Sequence, residues 1–113
     1  MGALTLVVNG TPRRCSPKVE EQILRVGQEA VSNAVRHARP NSVRLELSYQ
    51  DDAMLLRVTD DGRGFDPDQA LAGDGTHCGL SSMRERVKRV RGHFTLSSAP
   101  GQGTRVEALV PLQ

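Results

Sequence analysis

The run Met54-Leu55-Leu56-Arg57-Val58-Thr59 breaks at Asp60-Asp61-Gly62-Arg63-Gly64-Phe65, and this transition constrains the chain more than any other stretch. The apolar run reads as a strand. Asp60 shares the parity of Met54, Leu56 and Val58, so it starts on the core side of the sheet, where a carboxylate needs a partner. Two alternating glycines follow. Glycine permits backbone conformations and close approaches that a side chain blocks, which suits a chain wrapping closely around a ligand. Many strand ends carry Asp and Gly simply to turn, so the pattern takes its meaning from the rest of the chain.

The surrounding periodicities set the fold class. Leu4 to Val8 is β-rich and reads as a short strand, with a tight turn at Asn9-Gly10. Ser16 is placed to cap a helix whose first position is Pro17. From about 17 to 38 the period is helical: Val19, Ile23, Val26, Ala30, Ala34 and Ala38 share a face, and Gln22, Arg25, Ser32 and Arg36 lie opposite. Glu29, Asn33 and His37 form one stripe beside the apolar face. The first two stand four residues apart, so their side chains can converge on one ligand. Val43–Tyr49 and Met54–Asp60 alternate as an antiparallel hairpin. Residues 65–78 make a long loop, which favours a mobile lid or a tolerated surface insertion. Gly79 then opens a helix running to about Arg91, with Leu80, Met83, Val87 and Val90 inward. Two last strands, 93–98 and 104–110, flank a turn carrying Gly101 and Gly103. This order predicts a two-layer α/β sandwich, a mixed sheet with helices on one face.

Composition narrows the function classes. At 113 residues the chain makes one domain. A net charge of +2 lacks the concentrated basic patch that nucleic acid calls for, and no direct nucleic-acid binding is expected. The basic run Arg86, Lys88, Arg89 and Arg91 falls on the second helix, where a solvated or partner-facing surface accounts for it. No apolar stretch approaches the roughly 18 residues of a membrane span, and a signal peptide is not evident. The expectation is a cytoplasmic location. Cys15 and Cys78 have no metal-ligand spacing and read as reduced thiols.

Three separated features then share one purpose. The Glu29–Asn33 stripe supplies a carboxylate and an amide oxygen, the latter a hard donor suited to Mg²⁺. Asp60, acceptor-only when ionised, suits an exocyclic amino group such as that of adenine. The loop ending at Gly79 leads into a helix start, whose free N–H groups suit phosphates. An amino acceptor, a metal oxygen ligand and a flexible phosphate cover together describe an ATP site.

Residues from about 17 to 110 resemble the catalytic, ATP-binding domain of a bacterial sensor histidine kinase. Its wider relatives are the gyrase, chaperone and mismatch-repair ATPases. The motifs are Glu29-Ala30-Val31-Ser32-Asn33-Ala34-Val35-Arg36-His37-Ala38, Asp60-Asp61-Gly62-Arg63-Gly64-Phe65, Gly79-Leu80-Ser81-Ser82-Met83-Arg84-Glu85-Arg86 and Gly101-Gln102-Gly103-Thr104. The Met-Arg-Glu-Arg segment resembles the nitrate-type and membrane-fluidity-type sensor kinases, whose regulators carry helix-turn-helix output domains.

The resemblance implies the left-handed Bergerat nucleotide fold and a role for each matched residue. Asp60 accepts from the adenine amino group, and Gly62 and Gly64 turn the chain so that the base lies under a lid at 65–78. Asn33 ligates Mg²⁺, and Glu29 orients water or assists proton removal. His37, or Arg36 beside it, lies near the phosphates. His77 is a further candidate there, while Gly79 and its neighbour Leu80 supply backbone to the phosphates. Gly101, Gly103 and Thr104 close the pocket, with Thr104 bonding toward Asp60 or its water. The partners implied are ATP, a dimerisation domain bearing the acceptor histidine, and a response regulator. None of His37, His77 and His93 sits on a preceding helical hairpin, so the chain reads as a monomeric piece excised from a longer kinase and not expected to autophosphorylate alone. The same fold also resembles the anti-sigma-factor serine kinases, and a catalytically silent nucleotide-binding module is a third reading.

Overall fold

The computed structural model describes residues 3–38, 41–64 and 80–113, the side chains of residues 37 and 38 excepted. The expected lid at 65–78 and the candidate residues His77 and Gly79 lie outside the described residues, as does Cys78.

Strand β1 (Ala3–Asn9) leads to helix α1 (Pro17–Asn33) and a π-helical turn (Ala34–Ala38). Strands β2 (Ser42–Tyr49) and β3 (Ala53–Asp60) follow, then α2 (Leu80–Arg89), β4 (His93–Ser98) and β5 (Thr104–Pro111). The five strands form one sheet in the order β1-β2-β3-β5-β4. β1 runs parallel to β2, and every other pair is antiparallel. This is the expected two-layer α/β sandwich with a mixed sheet.

The layers follow from the side-chain periods. Along β3, Met54, Leu56, Val58 and Asp60 are buried and the residues between them are half-exposed. Their register partners Val106, Ala108 and Val110 on β5 are buried on the same side. Against this face α1 lays Val19, Ile23, Val26 and Ala30, and α2 lays Leu80, Met83 and Val87. The opposite face is polar and open, where Arg57 pairs with Glu107, its partner across the β3–β5 ladder, at 3.1 Å.

The start of α1 is fixed as the sequence indicates. Ser16 Oγ accepts from the Val19 amide at 3.2 Å, and Pro17 occupies the first turn, where its missing N–H costs nothing. The far end departs from expectation. The α-helix stops at Asn33, and Ala34–Ala38 continue as a wider π turn. A regular 100° step therefore does not carry the Glu29–Asn33 stripe on to His37. Gln22 is a second correction. The helical period assigns it to the polar face, but it is 9% exposed. It stands three residues after Val19 and four before Val26, which puts it at the edge of the apolar stripe, and α2 covers that edge.

Candidate functional site

The site is built where β3 ends. Asp60 is the last residue of the strand, is 8% exposed and faces the helices. Its Oδ1 accepts from the Gly62 amide at 2.8 Å, which sets the direction of the carboxylate. Burial pushes this carboxyl above its ordinary value. The Gly62 amide opposes that rise, and the neighbouring Asp61 charge adds to it. Across the ladder Asp60 is paired with Thr104 on one side and Val43 on the other.

Asp61 does different work. It points away to accept from the amides of Asn41 at 2.8 Å and Ser42 at 2.9 Å, and from Ser42 Oγ at 3.2 Å. These donors, the Ser42 amide foremost, hold its carboxyl below the ordinary value. Asp61 thus ties the entry of β2 to the exit of β3. Asp60 faces inward, as its strand parity predicts, while Asp61 steadies the loop.

The glycine segments after β3 and between β4 and β5 are interlocked. The Gly101 amide donates to the Arg63 carbonyl at 2.6 Å. Gly64 has φ of +65°, and a Cβ there would overlap the Ala99 carbonyl. Gly103 has φ of +75°, and a Cβ there would run into the Asp60 carbonyl. Both positions therefore need glycine twice over, for the left-handed backbone and for the close approach. Ser98 Oγ completes the turn with a bond to the Gly103 carbonyl at 2.9 Å. It also shares a 2.9 Å hydrogen bond with Thr104 Oγ1. Thr104 stands opposite Asp60 on the ladder, and its hydroxyl shares a hydrogen bond with Ser98.

The second wall is α1. Glu29 and Asn33 lie one turn apart, both half-buried, and the side-chain oxygen of Asn33 is itself buried. Asn33 is the last α-helical residue before the π turn, a local widening frequent at functional sites. Glu29 lines a polar cleft of about 190 Å³ between α1 and α2, shared with Arg25, Ser82 and Arg86. Leu80 is 5% exposed at the first position of α2, so its side chain belongs to the core, leaving only its backbone for a ligand.

Arg86 supplies a contact that the sequence left open. Its Nη1 donates to Gln22 Oε1 at 3.2 Å, bridging α2 to the buried amide on α1. The spacing gave no clear signal for it, since Gln22 stands at the margin of the apolar stripe and α2 decides its burial.

Among the described residues no group of three or more His, Cys, Asp or Glu side chains converges on a point. A cation here would take the Asn33 amide oxygen and complete its shell with ligand oxygens and water. That sparse protein coordination fits Mg²⁺, which keeps several waters when it bridges phosphates. Among the described residues no helix is long and apolar enough to cross a membrane.

The family model for histidine kinase-, DNA gyrase B- and HSP90-like ATPases matches residues 18–113. The chain is 40% identical over 94 residues to the sensor protein VraS of Staphylococcus aureus, which covers 83% of this chain and 26% of that protein. The same identity and coverage hold for VraS of Staphylococcus haemolyticus. The chain thus spans about a quarter of the length of these relatives. Among solved structures it resembles the histidine kinase domain of the Erythrobacter litoralis EL346 blue-light activated histidine kinase. The TM-score is 0.78 at 24% identity, covering 99% of this chain and 53% of that one. It also resembles the Acinetobacter baumannii histidine kinase AdeS, with a TM-score of 0.74 at 18% identity over 98% of this chain and 54% of that one. At these identities the likeness is one of fold. The buried acid at the end of β3, the interlocked glycines and the helix bearing Glu29 and Asn33 all fall within the matched residues, and the chain belongs to the histidine kinase-, DNA gyrase B- and HSP90-like ATPase family.

Proposed function

We propose that this chain is the ATP-binding catalytic domain of a sensor histidine kinase, which transfers the γ-phosphoryl group of ATP to a histidine on a separate dimerisation domain. The observation that carries the reading is Asp60. It is a buried carboxylate aimed by the Gly62 amide and walled by the Gly101–Gly103 turn. A carboxylate held in this way, with no cationic partner among the described ion pairs, has further lone pairs with which to accept from a ligand. The exocyclic amino group of adenine supplies the donor.

In this reading Gly62, Gly64, Gly101, Gly103 and Thr104 shape the base pocket. Asn33 holds Mg²⁺, which when bound neutralises charge on the phosphates. The Leu80 backbone is offered to the phosphates, and His37, His77 and Gly79 are assigned to them on the family resemblance alone. An imidazole nitrogen of the acceptor histidine forms the new bond to the γ-phosphorus. The bond from that phosphorus to the bridging oxygen breaks, and ADP leaves with the electron pair. Glu29 takes the imidazole proton, directly or through a water it orients. The protein's part is positioning and charge neutralisation. The phosphoryl group then passes to a response regulator. The Met83-Arg84-Glu85-Arg86 segment favours the nitrate-type and membrane-fluidity-type class, with helix-turn-helix output.

The test is phosphotransfer in trans. The chain, mixed with Mg-ATP and a histidine-bearing dimerisation domain of a VraS-like kinase, should yield an acid-labile, base-stable phosphohistidine. Acid-stable phosphoserine on a co-purified protein, or no nucleotide binding at all, would refute the assignment.

A further inference from the structure

The polar cleft between α1 and α2 carries more charge than the chemistry of Glu29 uses. Among its described lining residues Glu29 is the one carboxylate, and Arg25 and Arg86 bring two guanidinium groups. Neither arginine belongs to an ion pair among the described residues, although Arg25 stands one turn before Glu29 on α1. The cleft therefore has a net positive charge to offer. Its volume is about 190 Å³. At about 30 Å³ per water, that admits one small polar group with a few waters around it.

The two arginines are held differently. Arg86 is half-buried and anchored, its Nη1 donating to the buried Gln22 at 3.2 Å, which leaves the rest of its fork for other acceptors. Arg25 is exposed. A guanidinium fork takes a carboxylate or a phosphoryl group by two parallel bonds, and position along the helices decides between them. Arg25, Glu29 and Asn33 follow one another on α1 at intervals of four residues, each about 6 Å of rise. Asn33 and the start of α2 mark the phosphate end. Arg25 lies roughly 12 Å of helix away from Asn33, and Arg86 reaches back along α1 to Gln22. Both cations thus stand on the side of Glu29 that faces away from the phosphates. On the function proposed above, in which an imidazole comes to Glu29, we infer that Arg25 and Arg86 form a receptor for a carboxylate side chain of the histidine-bearing partner. That carboxylate stands one helical turn from the acceptor histidine, since side chains one turn apart lie about 5–6 Å from each other, the spacing of Glu29 and Arg25. One such carboxylate neutralises the cleft and sets the register of the partner against Glu29. Arg25 and Arg86 are then positioning residues, separate in their role from the base and the metal ligand.

The test is phosphotransfer in trans from Mg-ATP to a histidine-bearing dimerisation domain of a VraS-like kinase, with the initial rate followed against the concentration of that domain. Arg25→Ala should raise the KM for the domain about tenfold, and the loss should fall on KM rather than on kcat. Arg25 is exposed, so the melting temperature should hold, and calorimetry should show an unaltered affinity for ATP. Arg86→Lys keeps the charge and gives up the fork, and should raise KM by a smaller factor. Arg25→Glu should nearly abolish transfer, and replacing the partner's carboxylate one turn from its acceptor histidine by arginine should restore it. An unchanged KM for Arg25→Ala, or a charge reversal that no such partner substitution rescues, would overturn the inference while leaving the proposed function standing. A fall in ATP affinity for Arg25→Ala would also overturn it, because the cleft would then belong to the nucleotide phosphates. A wild-type chain that binds no ATP, or binds it and transfers nothing, would refute the proposed function and the inference with it.

Discussion

The amide of Gly62 donates to Oδ1 of Asp60 at 2.8 Å, so the carboxylate that closes β3 is aimed by the first glycine beyond it. The same carboxylate is one of the two buried polar side chains among the described residues, with Gln22. Aim and burial together make Asp60 the residue on which nucleotide recognition should depend most.

Asp60→Asn should therefore separate binding from folding. Loss of a hydrogen bond to a charged acceptor costs about 2 kcal/mol, or roughly 30-fold in affinity. Calorimetric titration with ATP should show that loss. Stability should move the other way. Burial raises this carboxyl in the folded chain, so the folded state holds its proton to higher pH than the unfolded state does. Its contribution to stability is fully present below the unfolded value, near ~3.9, and is lost as pH rises through the folded value. The asparagine variant escapes that loss. It should melt above the wild type at neutral pH, and the gap should close in acid.

Asn33→Ala tests the metal assignment. If its buried oxygen is a ligand, Mg-ATP affinity should fall by about tenfold or more, the scale of losses at metal sites. Affinity for ATP in the presence of a chelator should change much less. Equal losses in the two titrations would show that Asn33 is structural.

The glycines after β3 and before β5 offer a paired test of the interlock. Gly101 has φ of +78°, and a Cβ added there would meet nothing within 4 Å. Gly101→Ala should therefore cost only the left-handed backbone penalty, about 1 kcal/mol. Gly64→Ala meets the same penalty and also the Ala99 carbonyl, a backbone atom that cannot swing aside. It should cost roughly 3 kcal/mol or more. Urea unfolding of the two variants measures the difference.

The bridge between helices can be measured by a double-mutant cycle. Gln22→Ala and Arg86→Ala each remove one end of the 3.2 Å bond, and the coupling energy between them should be about 1 kcal/mol. Arg86→Ala alone should be the more damaging, because it leaves a buried amide without its donor.

Strand parity made much of this domain readable in advance. The inward Asp60 followed from the alternation of Met54, Leu56 and Val58. The cap at Ser16-Pro17 and both hairpins rested on short-range rules that act within a few residues. What local pattern could not show was the neighbour that decides a borderline position. Gln22 lies at the margin of the α1 stripe, and only the placement of α2 determines that it is buried and bonded to Arg86. The π turn after Asn33 was hidden for a similar reason, since Ala34-Val35-Arg36-His37-Ala38 carries no breaker to announce it. The link between Arg63 and Gly101 spans 38 positions and depends on β5 pairing with β3.

That pairing has a consequence for biosynthesis. β5 is the last of the five strands to be translated, yet it lies inside the sheet, between β3 and β4. Until it emerges from the ribosome, β3 has an open edge and β4 has no neighbour. The rung joining Asp60 to Thr104 does not exist, and the carboxylate stands in water. Nascent chains halted before residue 104 should therefore lack a nucleotide pocket, however well their helices have formed, and the ability to bind ATP should arrive in a single late step.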